Sequence, residues 1–403
     1  MSLKDISSII KTIFTSRSPK QLIVQIHDHC NATCPQCGMN KYSNFKRYSL
    51  NVNEIKNIID KAAENGVKAL SFTGGEPLLR EKELFYLIKY AKSKGIKYTR
   101  TGTNGFIFLN HQKSDFDKKI SILAEQIKES ELYTFWISID TWDIEKHEIN
   151  RGLIGVIKGI EKGLKIFEKY GLYPSVNLGI NRLIEIPSIR YYNNCTFIPE
   201  AFFNNYRLGI GKFFQFVTEL GFTIANVCYP MSFEGAVYKA ESSDYIVKYN
   251  DIEKLYLFKA LYETIPQFRD KIRIFTPLSS LYILINQYKY NQPSAIGCRG
   301  GKDYFYIDSK GDLYPCGFLS EYNYGKDYTF KTLLQHECTE CDWECFRDPS
   351  HLFHPLIAFN NNLMKLPFYY IKNNRFYKNW LSDIFYYKKS NFFNMHKPMR
   401  SIN

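Results

Sequence analysis

Cys30-Asn-Ala-Thr-Cys34-Pro-Gln-Cys37 directly follows the apolar run Leu22–His27, and Thr73-Gly74-Gly75-Glu76-Pro77 closes the next such run, Ala69–Thr73. Three thiolates on one short loop can hold three irons of a cubane cluster and leave the fourth iron open for chemistry. Zinc is the competing reading: Cys-x2-Cys also occurs in structural zinc sites, and His27 or His29 could supply a fourth ligand. Glycines at the C-terminal end of a strand let a ligand approach the backbone closely, and they suit an ordinary tight turn equally well. The glycine motif alone is weak. One βα unit after a three-cysteine loop, it is strong.

Outward from these motifs one pattern repeats. A helical stretch ends at a Gly and a short β-rich run follows. The junctions are Asn65-Gly66 before Ala69–Thr73, Lys94-Gly95 before Ile96–Thr101, Tyr170-Gly171 before Tyr173–Leu178, and Leu220-Gly221 before Phe222–Cys228. Gly suits the left-handed position just past a helix end. With Leu22–His27 and Tyr133–Ile139 this makes six strands. Helix Asn53–Glu64 carries Ile55, Ile58, Ile59 and Ala62 on one face, and Lys82–Lys94 carries Leu84, Leu87, Ile88 and Ala91. Later helices are expected over Tyr206–Leu220, Asp251–Thr264 and Leu278–Gln287, while Ile184–Pro199 shows no clear period. Strands alternating with helices predict an α/β fold of parallel units. The spacing alone fits an open doubly wound sheet or a partial barrel.

Taken together, the Cys-x3-Cys-x2-Cys loop after strand one and Gly-Gly-Glu-Pro after strand two resemble the signature of the radical S-adenosylmethionine (SAM) superfamily. The resemblance implies a partial (βα)6 TIM-like barrel. It implies that Cys30, Cys34 and Cys37 hold a [4Fe-4S] cluster whose open iron binds SAM, with Gly74, Gly75, Glu76 and Pro77 at the methionine end. Further matches fall at strand ends, where barrel active sites form: Asn104 in Thr103-Asn-Gly105, Ser138 and Asp140, Arg151 in Asn150-Arg-Gly152, and Asn177 and Asn181. These are the expected SAM contacts; a capping or turn role is the alternative for each. Gln36 departs from the family pattern, which often places an aromatic residue there beside the adenine.

A second group of cysteines follows a change of texture at Cys298. Asp303–Asp308, a turn at Ser309-Lys310-Gly311, and Asp312–Cys316 read as a hairpin with a thiol at each end. Cys338-Thr-Glu-Cys341-Asp-Trp-Glu-Cys345 comes next. The segment resembles the opening of SPASM and twitch domains, which append auxiliary four-iron clusters to radical SAM barrels. Five cysteines complete one four-ligand site, so a single auxiliary cluster is expected. Cys298 and Cys316 are candidate ligands with two of Cys338, Cys341 and Cys345; structural zinc is the alternative. Cys195 and Cys228 stand alone and read as small buried hydrophobes.

With 403 residues, 45% hydrophobic and 23% charged, the composition is that of a globular protein. No apolar run reaches membrane-spanning length, and residues 1–20 read as an amphipathic helix instead of a secretory signal, so a cytoplasmic protein is expected. Ten cysteines in a reducing compartment point to metal ligands over disulfides. The expected organisation is a helix over 1–20, a barrel over 21–232, a helical linker over 233–297, an auxiliary-cluster domain over 298–350 and a tail over 351–403. That tail holds six Lys, two Arg and one Asp, +7 of the total +13, with thirteen aromatic residues. Tyr377, Trp380, Leu381, Ile384 and Phe385 share a helical face. The face either packs on the fold or meets an anionic membrane surface. No nucleic-acid module accompanies the charge.

Reductive SAM cleavage to a 5′-deoxyadenosyl radical and hydrogen abstraction from an unactivated carbon are what the resemblance implies, with electrons from a flavodoxin or ferredoxin type of donor. The basic tail suggests a lipid or other hydrophobic substrate. Maturation of a ribosomally made peptide is the alternative, set back by the short stretch before strand one, and radical oxidation of a small-molecule alcohol is another. A non-catalytic iron–sulfur sensor would not need Gly-Gly-Glu-Pro.

Overall fold

The computed structural model describes residues 16–193, 196–231, 235–239, 242–335, 337–339, 341–361, 374–393 and 397–398. Residues 1–15, most of the expected N-terminal helix, and Cys195 lie outside them.

All six expected strands form: β1 (Lys20–Gln25), β2 (Val67–Thr73), β3 (Tyr98–Thr103), β4 (Thr134–Ser138), β5 (Ser175–Gly179) and, after a two-strand hairpin β6–β7 (Tyr192–Asn193 and Thr196–Phe197), β8 (Ile224–Cys228). They lie side by side in chain order and pair in parallel, the arrangement of a partial βα barrel. The helix-ending glycines are where left-handed backbone is needed: Gly66 has φ +76° and Gly221 φ +102°. Helix Val52–Glu64 starts at a capping box, with Asn51 accepting from the Glu54 amide and Glu54 from that of Asn51. Its Ile55, Ile58, Ile59 and Ala62 are fully buried against the sheet. The region without a clear period, 184–199, holds the short β6–β7 hairpin and leads into a long helix, Pro199–Glu219, with Pro199 in its first turn.

Two expected boundaries do not coincide with breaks in the sheet. Within the stretch read as a linker, helix Asp251–Phe268 packs on Pro199–Glu219, burying Leu257, Phe258, Leu261 and Ile265. β9 (Arg273–Ile274) then pairs in parallel with β8. The hairpin at 303–316 forms as β10 (Tyr304–Ile307) and β11 (Leu313–Tyr314). It adds to the other edge of the barrel sheet, with β10 parallel to β1. An unpaired strand edge offers a row of N–H and C=O groups, and here both edges of the six-strand array are continued by later chain.

The strands present two different faces. Leu22, Val24, Leu70, Phe72, Phe135, Ile137, Val176 and Leu178 point out to the helices, as the core. The alternate residues point inward. Ile23 there packs with Tyr304, Tyr306, Cys298, Cys316, Trp343 and Phe346, so the second cysteine segment lies against the inner face.

The tail helix, Asn374–Lys389, docks on helix Leu278–Tyr290. Asp383 is fully buried and caps that helix, accepting from the Leu278 and Ser279 amides at 3.0 and 2.9 Å, and it pairs with Arg269 at 3.0 Å. The expected apolar stripe is split. Tyr377 is buried and Trp380 donates to the Leu352 carbonyl, whereas Leu381, Ile384 and Phe385 are 50, 41 and 67% exposed. Asp383 causes the rotation: a buried carboxylate needs its donors, and meeting them turns the helix on its axis. No helix among the described residues is long and apolar enough to cross a membrane.

Candidate active site

The three-cysteine loop sits over the ends of β1 and β2. Its anchor is the Gly-Gly-Glu-Pro turn: the Gly75 amide donates to the His27 carbonyl (3.0 Å) and the Glu76 amide to that of His29 (2.8 Å). A Cβ on Gly74 would lie 2.6 Å from the His27 oxygen, and one on Gly75 would overlap the His29 carbonyl. The glycines therefore admit the cysteine loop itself. Pro77 is buried at the start of a 3-10 turn, Pro77–Arg80, where its fixed φ fits and its missing N–H costs nothing.

Glu76 ties this turn to β3. Its buried carboxylate accepts from the Asn104 amide at 2.6 Å and the Leu78 amide at 3.1 Å. Burial pushes its pKa up to about 7, against the pull of those bonds. The Asn104 side-chain amide donates to Asn31 Oδ1 (2.9 Å) and reaches Cys30 Sγ at 3.7 Å. The Ala32 amide also points at Cys30 Sγ, at 3.5 Å.

From the far side, Asn150-Arg151-Gly152 closes on the same loop. Thr33 N donates to the Arg151 carbonyl at 3.0 Å, and a Cβ on Gly152 would meet Thr33 Oγ1 at 2.6 Å. Arg151 forms a bidentate pair with Asp140, Nε and Nη2 at 2.8 and 2.6 Å from its oxygens. Both groups are buried, and the guanidinium lies near Cys34 and Cys30. Gln36, in place of the family's aromatic residue, accepts from Asn150 Nδ2 at 2.8 Å, and Asn150 also reaches Asp140 at 3.3 Å. Asn181 donates to the Asp140 carbonyl at 3.0 Å. Ser138 and Asn177 face each other across β4 and β5 on the inner side, and Asn226 Nδ2 donates to Asn177 Oδ1 at 2.9 Å.

Cys34 is buried, and burial pushes its thiol far up, with Arg151 opposing and the Cys37 and Cys30 thiols adding to the rise. Three thiols within one another's fields, N–H donors directed at sulfur and a neighbouring cation make a donor set that fits an iron–sulfur cluster. Among the described residues no three such groups converge as the ligands of a single metal ion do.

The second group of cysteines packs on one inner-face cluster, with different neighbours around each thiol. The Cys298 amide donates to the Cys338 carbonyl at 2.7 Å, so the two segments carrying them touch in an isolated antiparallel bridge. Burial raises Cys341, and the fields of Cys298 and Cys316 raise it further; Cys316 rises to about 12 through burial, with Cys298 and Cys338 close by. Amides of Gly300 and Phe318 donate to Cys298 and Cys316 sulfur at 3.3 and 3.4 Å. Cys345 instead turns away in the first turn of helix Glu344–Asn361. Its thiol donates to Glu344 Oε1 at 3.4 Å and is raised by burial and by Glu344, with Arg100 opposing. Of the three downstream cysteines expected to supply two ligands, Cys345 is the one placed beside Glu344 and Arg100. Cys228, read as an inert hydrophobe, shares that place. It ends β8 on the inner face, with Glu344 and Cys345 beside it. Glu344 and Arg100 carried no local signal; strand alternation around Arg100 was the one available hint.

Fold and site define an α/β barrel enzyme with a thiol-rich centre at its strand ends. Residues 24–183 match the family model described as Radical SAM superfamily, so the chain contains a radical SAM domain and is an enzyme. That domain implies SAM and the iron–sulfur cluster of the three-cysteine loop. The chain is 31% identical over 168 residues to a probable GTP 3′,8-cyclase of Pyrococcus horikoshii, covering 41% of this chain and 49% of that one. It is 21% identical over 316 residues to an AdoMet-dependent heme synthase of Methanosarcina barkeri, covering 76 and 79%. The chain therefore spans about half the length of the cyclase. Among solved structures, native anSMEcpe with bound AdoMet superposes with a TM-score of 0.51 at 18% identity, over 79% of this chain and 81% of that one.

Proposed function

We propose that the enzyme abstracts hydrogen from a polar substrate held against the inner face of the barrel, and that it carries one auxiliary four-iron cluster on Cys298, Cys316, Cys338 and Cys341. When bound, the cluster of Cys30, Cys34 and Cys37 and SAM supply reductive cleavage to a 5′-deoxyadenosyl radical. The chain's own contributions are positional. The Gly75 and Glu76 amides hold the entry to the cysteine loop by backbone hydrogen bonds, Gly74 gives it room, and Asn104 holds Cys30 and Asn31. Asp140 fixes Arg151 in a bidentate ion pair beside the thiols.

The observation that supports the reading is that Cys341 lies in the fields of Cys298 and Cys316, and Cys316 in those of Cys298 and Cys338, whereas Cys345, packed on the same inner-face cluster, has Glu344 and Arg100 as its charged neighbours. The inner face suits a polar substrate. Thr73, Arg100, Ser138, Asn177, Asn226 and Cys228 line it by strand alternation. A lipid chain would leave those of these groups that no protein atom already bonds, Arg100 above all, without partners, at a cost of about 1–3 kcal/mol each, so the expected lipid substrate loses its support. The test is Cys34→Ala in the full chain, which should abolish 5′-deoxyadenosine formation under dithionite. Undiminished cleavage of SAM by that variant would sink the assignment.

A further inference from the structure

Arg100 lies in the middle of β3, between Thr99 and Thr101, which are fully buried on the helix-facing side. Thr101 Oγ1 is satisfied there by the Phe72 carbonyl at 3.0 Å. Alternation therefore turns Arg100 inward with Gly102. A Cβ on Gly102 would overlap the Trp136 indole, so that ring also lies on the inner face, two residues along from Arg100.

Among the described residues no carboxylate pairs with this guanidinium, and its Nε is buried with no hydrogen-bond partner. The buried arginines elsewhere each hold protein acceptors, though Arg269, Arg273 and Arg347 also leave one buried nitrogen unbonded. Arg151 pairs with Asp140, Arg182 with Glu253, Arg269 with Asp383 and Arg299 with Asp303. Arg273 and Arg347 donate to backbone carbonyls. Burial lowers the pKa of Arg100, and the titratable group it senses is the Cys345 thiol. Arg100 is only partly buried, and among the described residues no hydrogen bond or ion pair takes its donors, so they remain available to a ligand.

Its depth says whose ligand. Arg100 stands three residues before the end of β3, roughly 10 Å below the mouth at the usual rise per residue. The residues expected to meet SAM, namely Glu76, Asn104, Asp140 and Arg151, stand at or beyond the strand ends. A guanidinium fork matches a carboxylate or a phosphate bidentately.

We propose that Arg100 anchors an oxyanion of the substrate, a carboxylate or a phosphate, deep on the inner face beside Cys345. This rests on the inner face being the substrate chamber. The anchor fixes one end of the substrate so that a carbon farther up faces the mouth, where the radical arises. Cys228, Glu344 and Cys345 are then wall residues of the same chamber.

The test is thermal melting of the full chain, reconstituted anaerobically and saturated with SAM, in sodium acetate, sodium phosphate or sodium chloride at equal ionic strength. Wild type should melt about 2 °C or more higher in acetate or phosphate than in chloride; which of the two acts identifies the oxyanion. Arg100→Met should lose that rise and, freed of an unpaired charge, should melt no lower than wild type in chloride. An equal rise in Arg100→Met, or no rise with either anion in wild type, would overturn the proposal. So would a marked drop in the Met variant's chloride melting point, the mark of a structural ion pair. A rise seen only without SAM would assign Arg100 to the SAM carboxylate and overturn it too. No turnover is read, so failure here leaves the radical chemistry standing. Failure of wild type to form 5′-deoxyadenosine would leave the anion response intact.

Discussion

Replacing Cys341 and Cys345 separately distinguishes a ligand from a bystander four residues away. The chain to use already has Cys30, Cys34 and Cys37 changed to alanine, so that iron reports only on the C-terminal site. After anaerobic reconstitution this background should hold about four irons. Cys341 lies in the fields of Cys298 and Cys316, and Cys341→Ala leaves three thiolates. Its iron should fall clearly below about four per chain, or its visible spectrum should change, since three thiolates leave one iron without a protein ligand. Cys345→Ala removes one thiol–carboxylate contact, at 3.4 Å. That contact is worth about 0.5–1 kcal/mol, and burial of the sulfur adds about 1 kcal/mol more. A loss of that size leaves a domain folded, so iron should stay at about four. Iron and sulfide assays with the visible spectrum read both variants. Iron lost from Cys345→Ala and kept by Cys341→Ala would refute the ligand set and the placement of Cys345 in the chamber.

Gly75→Ala forces a Cβ into the His29 carbonyl and to 2.9 Å from the Cys30 amide. It should cost about 1–3 kcal/mol and lower the iron held by the barrel loop, whereas Gly211→Ala, whose Cβ meets nothing closer than 3.7 Å, should retain full iron. Asp383→Ala removes the cap of helix Leu278–Tyr290 and strands the Arg269 charge; urea unfolding should show a loss of about 3–5 kcal/mol, and a loss under about 1 kcal/mol would mean that the tail is not clamped there.

Much of this molecule can be read one residue after another. Strand and helix positions follow from periodicity, since an apolar face must be buried wherever it falls in the chain. The helix-ending glycines follow from φ, a local property. The first cysteine loop is local too: its three thiols lie within eight residues, so their spacing alone brings them together. The family follows from that loop and the turn after β2.

What the sequence left open depends on elements far apart in the chain. The ligand set of the second site was ambiguous because a helix begins at Glu344, and only the packing of that helix shows that Cys345 turns from Cys341 toward Arg100 and Cys228. The stretch 233–297 looked like a linker because the two-residue β9 is too short to leave a pattern; it exists because β8 offers a free edge. The tail helix has an apolar stripe in sequence, but the buried Asp383, bonded to a helix a hundred residues earlier, decides which part of the stripe faces inward. Arg100 is one inward residue in an ordinary strand. Its lack of a partner is a property of everything around it, and the sequence alone carries no trace of that. Local geometry is encoded by neighbours in the chain, while charge balance on the inner face is set by residues that meet only when the strands are assembled side by side.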